Sequence, residues 1–330
     1  MVTMVCNHVA SGKTFCCTGA PGTGKSFLLA KIQERLQSMG ERVEVLAPSN
    51  AAARIVHGQT CHHFIAKMGS STHGWKGWLL IDELSMLSLA LITVMDNLRL
   101  GGCKICLFGD WDQLPAVGQS WRGKNLDPKV FQHSNTLKRW SCNTLFRLTT
   151  CHRSDATHFQ FYTELSNTDL ATAIRWTRAA YRQSSDADIH FVVSHRKRRA
   201  LNEEAQKEFA HGLVGVAVAG EDPTYACCPG TPLVGCSTAQ KFINGAFYVV
   251  VSVGERITVR DQLTEQLIAC TPEVLGRHTC LGWAVTYHRA QGLTTTKRVC
   301  LHDMTSRFFT LAHLFVGMSR VVDGSLVSWA

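Results

Sequence analysis

No apolar stretch in the 330 residues approaches the length of a membrane span, so no membrane-crossing helix is expected. Residues 1–10 lack the pattern of a secretory signal, which points to an intracellular protein. Low-complexity tracts and short-period repeats are missing, which leaves a globular chain rather than a fibrous or repeat one. Acidic residues are outnumbered, 25 Asp+Glu against 34 Lys+Arg, for a formal net charge of +9. That excess suits a polyanionic partner without requiring one. Standard zinc-module spacing is also missing. Cys227, Cys228, Cys236, His278 and Cys280 have the ligand chemistry, but their intervals fit no such module.

Cysteine itself is plentiful, at 14. In an intracellular protein these read as reduced thiols in cores rather than disulfides. Cys103 and Cys106 lie three apart in an expected strand, where they face opposite sides and cannot chelate together. Hydrophobic residues make up 45% of the chain, enough for well-packed cores, and the length allows two domains.

The first chemical signal is Gly19-Ala-Pro-Gly-Thr-Gly-Lys-Ser26, a match to G-x-x-x-x-G-K-[ST]. Residues 13–18 read as a buried strand before it, and residues 27–36 as a helix after it, with Gly40 as a stop. Gly22 and Gly24 let backbone N–H groups turn inward around an anion, with Thr23 between them. The helix N-terminus adds a positive field. Lys25 is placed to reach the β- and γ-phosphates of ATP, and Ser26 to ligate Mg²⁺.

Residues 78–81 form an apolar run suited to a buried parallel strand, and they end in Asp82-Glu83. Asp82 is the expected second magnesium ligand, and Glu83 the group that polarises the attacking water. A further apolar strand, residues 104–108, leads into Gly109-Asp-Trp-Asp-Gln-Leu-Pro115. The Gln113 amide can donate to a phosphate and accept from a water. Three more blocks follow: Leu148-Thr-Thr-Cys-His-Arg153, Ala284-Val-Thr-Tyr-His-Arg-Ala-Gln-Gly-Leu-Thr294 and Val316-Gly-Met-Ser-Arg320.

Taken in order, the six blocks resemble superfamily 1 DNA helicases of the RecD-like and Pif branch, over about residues 16–322. The resemblance implies an α/β fold of two RecA-like P-loop NTPase lobes, each a parallel sheet with flanking helices. Lobe one is expected over residues 1–140 and lobe two over 141–330. A β-rich insert over about 211–277 is similar to the family's SH3-like module, with Phe242-Ile-Asn-Gly-Ala-Phe-Tyr-Val-Val250 as its strand signature. In the family the residue matching Gln113 reports the γ-phosphate. Arg153 and Arg320 match the family's transition-state arginines and are expected from the second lobe. Gln291 and Gly292 are expected to face the nucleotide.

The resemblance also implies a single-strand track. Ser49 and Asn50 open a helix in a motif that holds the DNA backbone. Gly58-Gln-Thr-Cys-His-His-Phe64 matches a second motif, in which Thr60 and His62 meet phosphates and Phe64 either stacks on a base or packs in the core. The basic run Ser194-His-Arg-Lys-Arg-Arg-Ala-Leu-Asn202 reads as a solvated face, a localisation signal or a DNA motif. On the DNA reading His195, Arg196 and Asn202 carry it. Thr286 and His288 complete the track.

The implied function is ATP- and Mg²⁺-dependent translocation on single-stranded DNA, with 5′→3′ unwinding at duplex junctions, in replication, recombination or repair. The implied protein is an intracellular monomer that meets replication proteins and no membrane. Two alternatives stand beside it: an RNA helicase, and an ATP-switched single-strand module without unwinding. Two departures bear on the choice. No Gln precedes Gly19 to read adenine, and the interval between Thr60 and Asp82 offers only Trp75 and Trp78 as a strand-separating wedge. The short ends suggest a minimal motor of the viral or mobile-element kind.

Overall fold

The computed structural model describes residues 1–68, 75–116 and 130–330, with the backbone alone at 120–121 and 124–125. The chain divides into two compact units, Met1–Ser166 and Asn167–Ala330.

The first unit opens with helix α1 (Val2–Ala10), then β1 (Cys16–Gly19) and α2 (Lys25–Ser38). Next come β2 (Val43–Ala47), α3 (Asn50–Ile55), β3 (Gln59–Thr60) and α4 (Cys61–Met68). After them come β4 (Trp78–Ile81), α5 (Leu89–Leu100), β5 (Lys104–Gly109) and a short pair, β6 (Ser120–Trp121) and β7 (Lys124–Asn125). Helix α6 (Asn135–Trp140), β8 (Leu145–Leu148) and α7 (Ala156–Leu165) complete it. Six strands form one sheet in the order β3-β2-β4-β5-β1-β8, and every pairing in it is parallel.

A sheet covered on both sides needs apolar residues at every position of its central strands. Strand β4 meets that demand: Leu79 and Ile81 enter one core, Trp78 and Leu80 the other. Strand β5 divides likewise, Ile105 and Leu107 against Cys106 and Phe108. Cys103 and Cys106 fall in opposite cores, as their spacing requires. Helix α1 packs Val5 and Val9 against Leu28, Leu29 and Ile32 of α2.

The boundary between units lies beyond the expected 140/141. Strand β8 pairs along β1 from Cys16↔Leu145 to Gly19↔Leu148, so this segment belongs to the first sheet. In α7, Tyr162 donates its hydroxyl to Pro21 O at 3.0 Å, which ties that helix to the first unit too.

The second unit contains α8 (Leu170–Ala180), β9 (Arg182–Gln183), β10 (Ile189–Val192) and α9 (His195–Ala210). Six antiparallel strands follow: β11 (Val216–Val218), β12 (Tyr225–Cys227), β13 (Pro232–Gly235), β14 (Phe247–Ser252), β15 (Ile257–Asp261) and β16 (Leu267–Cys270). Helix α10 (Pro272–His278) leads to β17 (Thr279–Leu281), β18 (Ala284–Thr286), α11 (Tyr287–Ala290) and β19 (Val299–Leu301). Helix α12 (Leu311–Met318) and β20 (Val327–Trp329) close the chain. The second parallel sheet has the order β18-β10-β19-β20-β9.

The β-rich insert is present as a five-stranded antiparallel sheet, β16-β15-β14-β13-β17, beside the β11-β12 hairpin. Its last strand, β17, lies past the expected end at 277, because β13 pairs with it from Leu233↔Leu281 to Gly235↔Thr279. Among the described residues no helix is long and apolar enough to cross a membrane.

Candidate active site

The phosphate loop joins β1 to α2. Gly22 and Gly24 have φ of 86° and 88°, backbone that L side chains rarely adopt. Thr23 is buried, and its hydroxyl donates to Ala20 O at 2.8 Å. Its side chain therefore holds the shape of the loop rather than reaching a ligand. Lys25 Nζ donates to Gly19 O at 2.7 Å and Ala20 O at 3.1 Å, which lays its ammonium across the loop.

Three acids converge from the carboxyl ends of β4 and β5. Asp82 is buried and accepts from the Ser26 hydroxyl. Burial first, then the neighbouring Glu83 carboxylate, raises its pKa, while Lys25 and Ser26 oppose the rise. Glu83 sits in the left-handed region with φ 53°, a strained setting for a residue with a Cβ. Asp110 is pushed up to about 7 by burial, against the pull of Lys25. Its Oδ1 accepts from Asp112 N at 3.1 Å. Gly109 makes this arrangement possible: a Cβ there would stand 2.6 Å from Leu84 N, so β5 ends hard against the turn that carries Glu83.

Among the described residues, four acceptor atoms here are buried without a hydrogen-bond partner: Glu83 Oε2, Ser85 Oγ, Asp110 Oδ2 and Gln113 Oε1. Such atoms are costly unless something polar meets them. Hard oxygen donors beside a cationic loop fit a magnesium ion with phosphates and water. Asp110 and Ser85 did not stand out in the sequence. Asp110 lies inside a block whose clearest signal was Gln113, and Ser85 follows the acidic pair with no spacing rule of its own.

Arg153 belongs to the first unit, not the second as expected, because β8 delivers it to the phosphate loop. A Cβ at Gly22 would lie 2.9 Å from Arg153 Cβ and 3.1 Å from its Nε. His152 N donates to Gly22 O at 2.8 Å. Burial lowers the Arg153 pKa, and Tyr162, Cys151 and Glu83 pull it back up. The loop is therefore braced by His152, which lies inside the block ending at Arg153 but was given no role there, and by Tyr162, which no motif flagged.

In the second unit Arg320 is buried at the end of α12. Its Nε donates to Val316 O at 3.0 Å and its Nη2 to Ser319 Oγ at 2.7 Å. Gln291 is buried beside Gly292, whose φ is 82°.

The expected track residues separate into exposed contacts and structural ones. His62, His195 and Arg196 are exposed. Ser49 caps α3 by accepting from Ala52 N at 3.2 Å, and Asn50, half-buried, begins that helix. Thr60 accepts from His63 N at 3.1 Å and stays half-exposed. Phe64 is a core residue, edge-on to Trp75 at 5.5 Å, so base stacking is withdrawn for it. Trp75 and Trp78 are both buried, and neither presents a wedge; residues 69–74 of that interval lie outside the described residues. Thr286 is buried and caps α11 through Arg289 N at 3.3 Å rather than facing a ligand. His288, half-buried, lies edge-on to His313 at 5.6 Å.

Asn202 is the clearest correction. It is fully buried; its amide donates to Leu281 O and Ala284 O, both at 3.1 Å, and accepts from Ala284 N at 2.7 Å. Both amide protons are taken up by backbone carbonyls, and full burial leaves the side chain out of reach of a strand. The basic run divides in the same way: Arg198 is buried against Glu221 at 2.7 Å, and Lys197 pairs with Asp303 at 2.9 Å.

A family profile described as an AAA domain matches residues 2–182. The human ATP-dependent DNA helicase PIF1 is 24% identical over 96% of this chain, which spans 58% of that protein's length. The ATP-dependent RecD2 DNA helicase of Deinococcus radiodurans is 31% identical over 34% of this chain and 18% of its own length. Among solved structures, the Pif1 helicase of Candida albicans superposes with a TM-score of 0.70 at 17% identity, covering 99% of this chain and 93% of that one. A Bacteroides Pif1 helicase in complex with ADP-AlF3 and single-stranded DNA gives 0.69 at 18%, covering 99% and 91%. At these identities the structural likeness establishes the fold, two RecA-like lobes with a β insert, while the profile covers more than half of the sequence. The chain therefore belongs to the AAA domain family, and its relatives and fold align it with the Pif1- and RecD-like proteins of superfamily 1B.

Proposed function

We propose that this chain is an ATP-hydrolysing motor that moves on single-stranded DNA and separates duplexes. The observation that carries the reading is the set of unpartnered buried acceptors on Glu83, Ser85, Asp110 and Gln113 beside Lys25 and Arg153. Bound Mg²⁺ would neutralise phosphate charge, and Ser26 and Asp82 would hold it. The chain's own groups do the rest. Lys25 binds phosphate oxygens, and Glu83 orients the attacking water and takes up its proton. Gln113 links that water to the γ-phosphate. Arg153 and Arg320 stabilise the charge that spreads over the transferring group, the kind of contact worth roughly 10³–10⁵ in rate.

The names of the relatives support DNA as the polymer, and the Bacteroides protein was solved with single-stranded DNA. The exposed His62, His195 and Arg196 are the contacts proposed for the strand. Direction 5′→3′, a monomeric state and a place in replication, recombination or repair are part of the proposal. A second reading, translocation without unwinding, is favoured by the burial of Trp75 and Trp78. Strand displacement on DNA and RNA duplexes with 5′ or 3′ tails, with and without ATP, tests all of this. Opening of 5′-tailed DNA is expected. ATP-driven displacement of streptavidin from single strands, with no duplex opened, would establish the second reading.

A further inference from the structure

One cluster in the second unit takes no part in the nucleotide chemistry. Strands β10 and β19 are parallel neighbours, and His190 lies in register with Cys300. Register partners share a sheet face, and so does the residue two further along. His302 is that residue, following Cys300 by two just past the end of β19. The three side chains consequently meet on one face. Their ligand atoms all lie within 4.8 Å of one another, the one group of its kind among the described residues. His190 Nδ1 and His302 Nε2 are 3.0 Å apart.

We propose that His190, Cys300 and His302 are the protein ligands of a zinc-type divalent cation bound on this face of the second parallel sheet, with water in the fourth position. The proposal is independent of the ATPase reading. A tetrahedral zinc with Zn–N near 2.0–2.1 Å holds its nitrogen ligands about 3.3 Å apart, close to the separation already present. One thiolate and two imidazoles form a borderline-soft set, suited to zinc and unsuited to magnesium or calcium.

The site is built on rigid elements. His302 N donates to Phe191 O at 3.0 Å, and Tyr287 donates its hydroxyl to His302 O at 2.9 Å. Asp303 accepts from Val193 N at 2.8 Å, which locks the ends of the two strands together. The charges facing the cluster are mixed. Glu204 of α9 and Asp188 favour positive charge at His190, whereas Lys197 opposes it. Lys197 also acts on Cys300 and His302, and its 2.9 Å pair with Asp303 offsets part of that charge. Burial keeps both imidazoles neutral, with His302 down to about 4, which is the form that ligates. The same burial holds the Cys300 thiol up at about 11, its S–H donating to Ser184 O at 3.3 Å. On binding, Cys300 gives that proton to solvent and its sulfur electron pair to the cation, while the imidazole proton shared between His190 Nδ1 and His302 Nε2 moves to the other nitrogen of its ring.

The test is titration of chelator-treated full chain with Zn²⁺ by calorimetry, and with Co²⁺ by absorption. We expect one tight equivalent, and a Co²⁺ complex with tetrahedral visible bands and a near-ultraviolet thiolate band. His190→Ala and Cys300→Ser should each weaken binding by at least about tenfold, and Cys300→Ser should abolish the thiolate band. Cys142→Ser, which removes an exposed thiol, should change neither. Circular dichroism checks that each variant is folded. If one variant does not fold, the Co²⁺ spectrum of the parent chain still decides. No tight equivalent, a Co²⁺ complex without thiolate absorption, or binding unaltered in folded Cys300→Ser would overturn the assignment.

Discussion

Arg153 lies directly against the phosphate loop at Gly22, where a Cβ would stand 2.9 Å from Arg153 Cβ. The contact makes Gly22 indispensable twice over, through its φ of 86° and through the space that Arg153 fills. It also makes Arg153 a resident of the loop rather than a distant visitor. Arg153→Ala should lower kcat by roughly 10³-fold or more with a smaller change in ATP affinity. Steady-state hydrolysis with and without single-stranded DNA measures both. A kcat within about threefold of the parent would reduce Arg153 to a brace for the loop. Arg320→Ala, measured in parallel, reports on the second unit, where the guanidinium already bonds Val316 O and Ser319 Oγ.

Lys25 and Glu83 should separate binding from chemistry. Lys25→Ala removes the cation that lies across the loop carbonyls and should abolish nucleotide binding or turnover. Glu83→Gln retains shape and backbone but not the base. It should bind ATP and hydrolyse it at least about 10²-fold more slowly, the range of a general base. Fluorescent-nucleotide binding beside phosphate release distinguishes the two. Normal turnover in Glu83→Gln would shift the base to another carboxylate, with buried Asp110 as an alternative outside the expected magnesium ligands.

Much of this architecture was legible in the sequence, for definite reasons. Apolar runs at residues 78–81 and 104–108 read as two-sided strands, and both are central in the first sheet. Glycines at 22 and 24 announced left-handed backbone. Side-chain direction was harder to read. Phe64, Trp75 and Asn202 occupy positions whose type suggested contact with a ligand, but burial is a tertiary property that a local window does not encode. Asn202 sits one helical turn beyond Arg198 and faces the same interior. The unit boundary was missed because β8 is a four-residue edge strand with alternating exposure, too short to signal its membership of the first sheet.

The acids of the site should impose a pH dependence on stability. The folded pKa of Asp110, about 7, lies above the ordinary aspartate value. The folded chain therefore holds this proton more tightly than the unfolded one. The resulting stability is complete below about pH 4 and is lost as pH rises through about 7. Asp110→Asn removes the titration while keeping a neutral polar group. Relative to the variant, the parent should lose on the order of a few kcal/mol between those limits, read as diverging Tm values without nucleotide. Parallel Tm curves across that range would show that Asp110 stays ionised in the fold.

The basic helix α9 gives the sharpest division between structure and binding, because neighbouring residues have opposite fates. His195 and Arg196 are exposed on its first turn, whereas Asn202 is sealed inside and satisfies backbone groups of Leu281 and Ala284. Removing its amide leaves those groups unpaired, at about 1–3 kcal/mol for each that stays dry. Asn202→Ala should therefore lower Tm and denaturant midpoint clearly, while the folded fraction keeps its affinity for single-stranded DNA. The double substitution of His195 and Arg196 by Ala should do the reverse. Stability should change by less than about 0.5 kcal/mol, as for surface sites. Affinity should fall without regard to sequence, and the slope of log K against log salt should shrink by about 0.7 for each phosphate no longer neutralised. Anisotropy titrations of a labelled oligonucleotide at several salt concentrations, beside urea unfolding, read both variants. An unchanged salt slope in the double variant would mark His195 and Arg196 as a solvated surface. Weakened DNA binding by stably folded Asn202→Ala would restore that residue to the track.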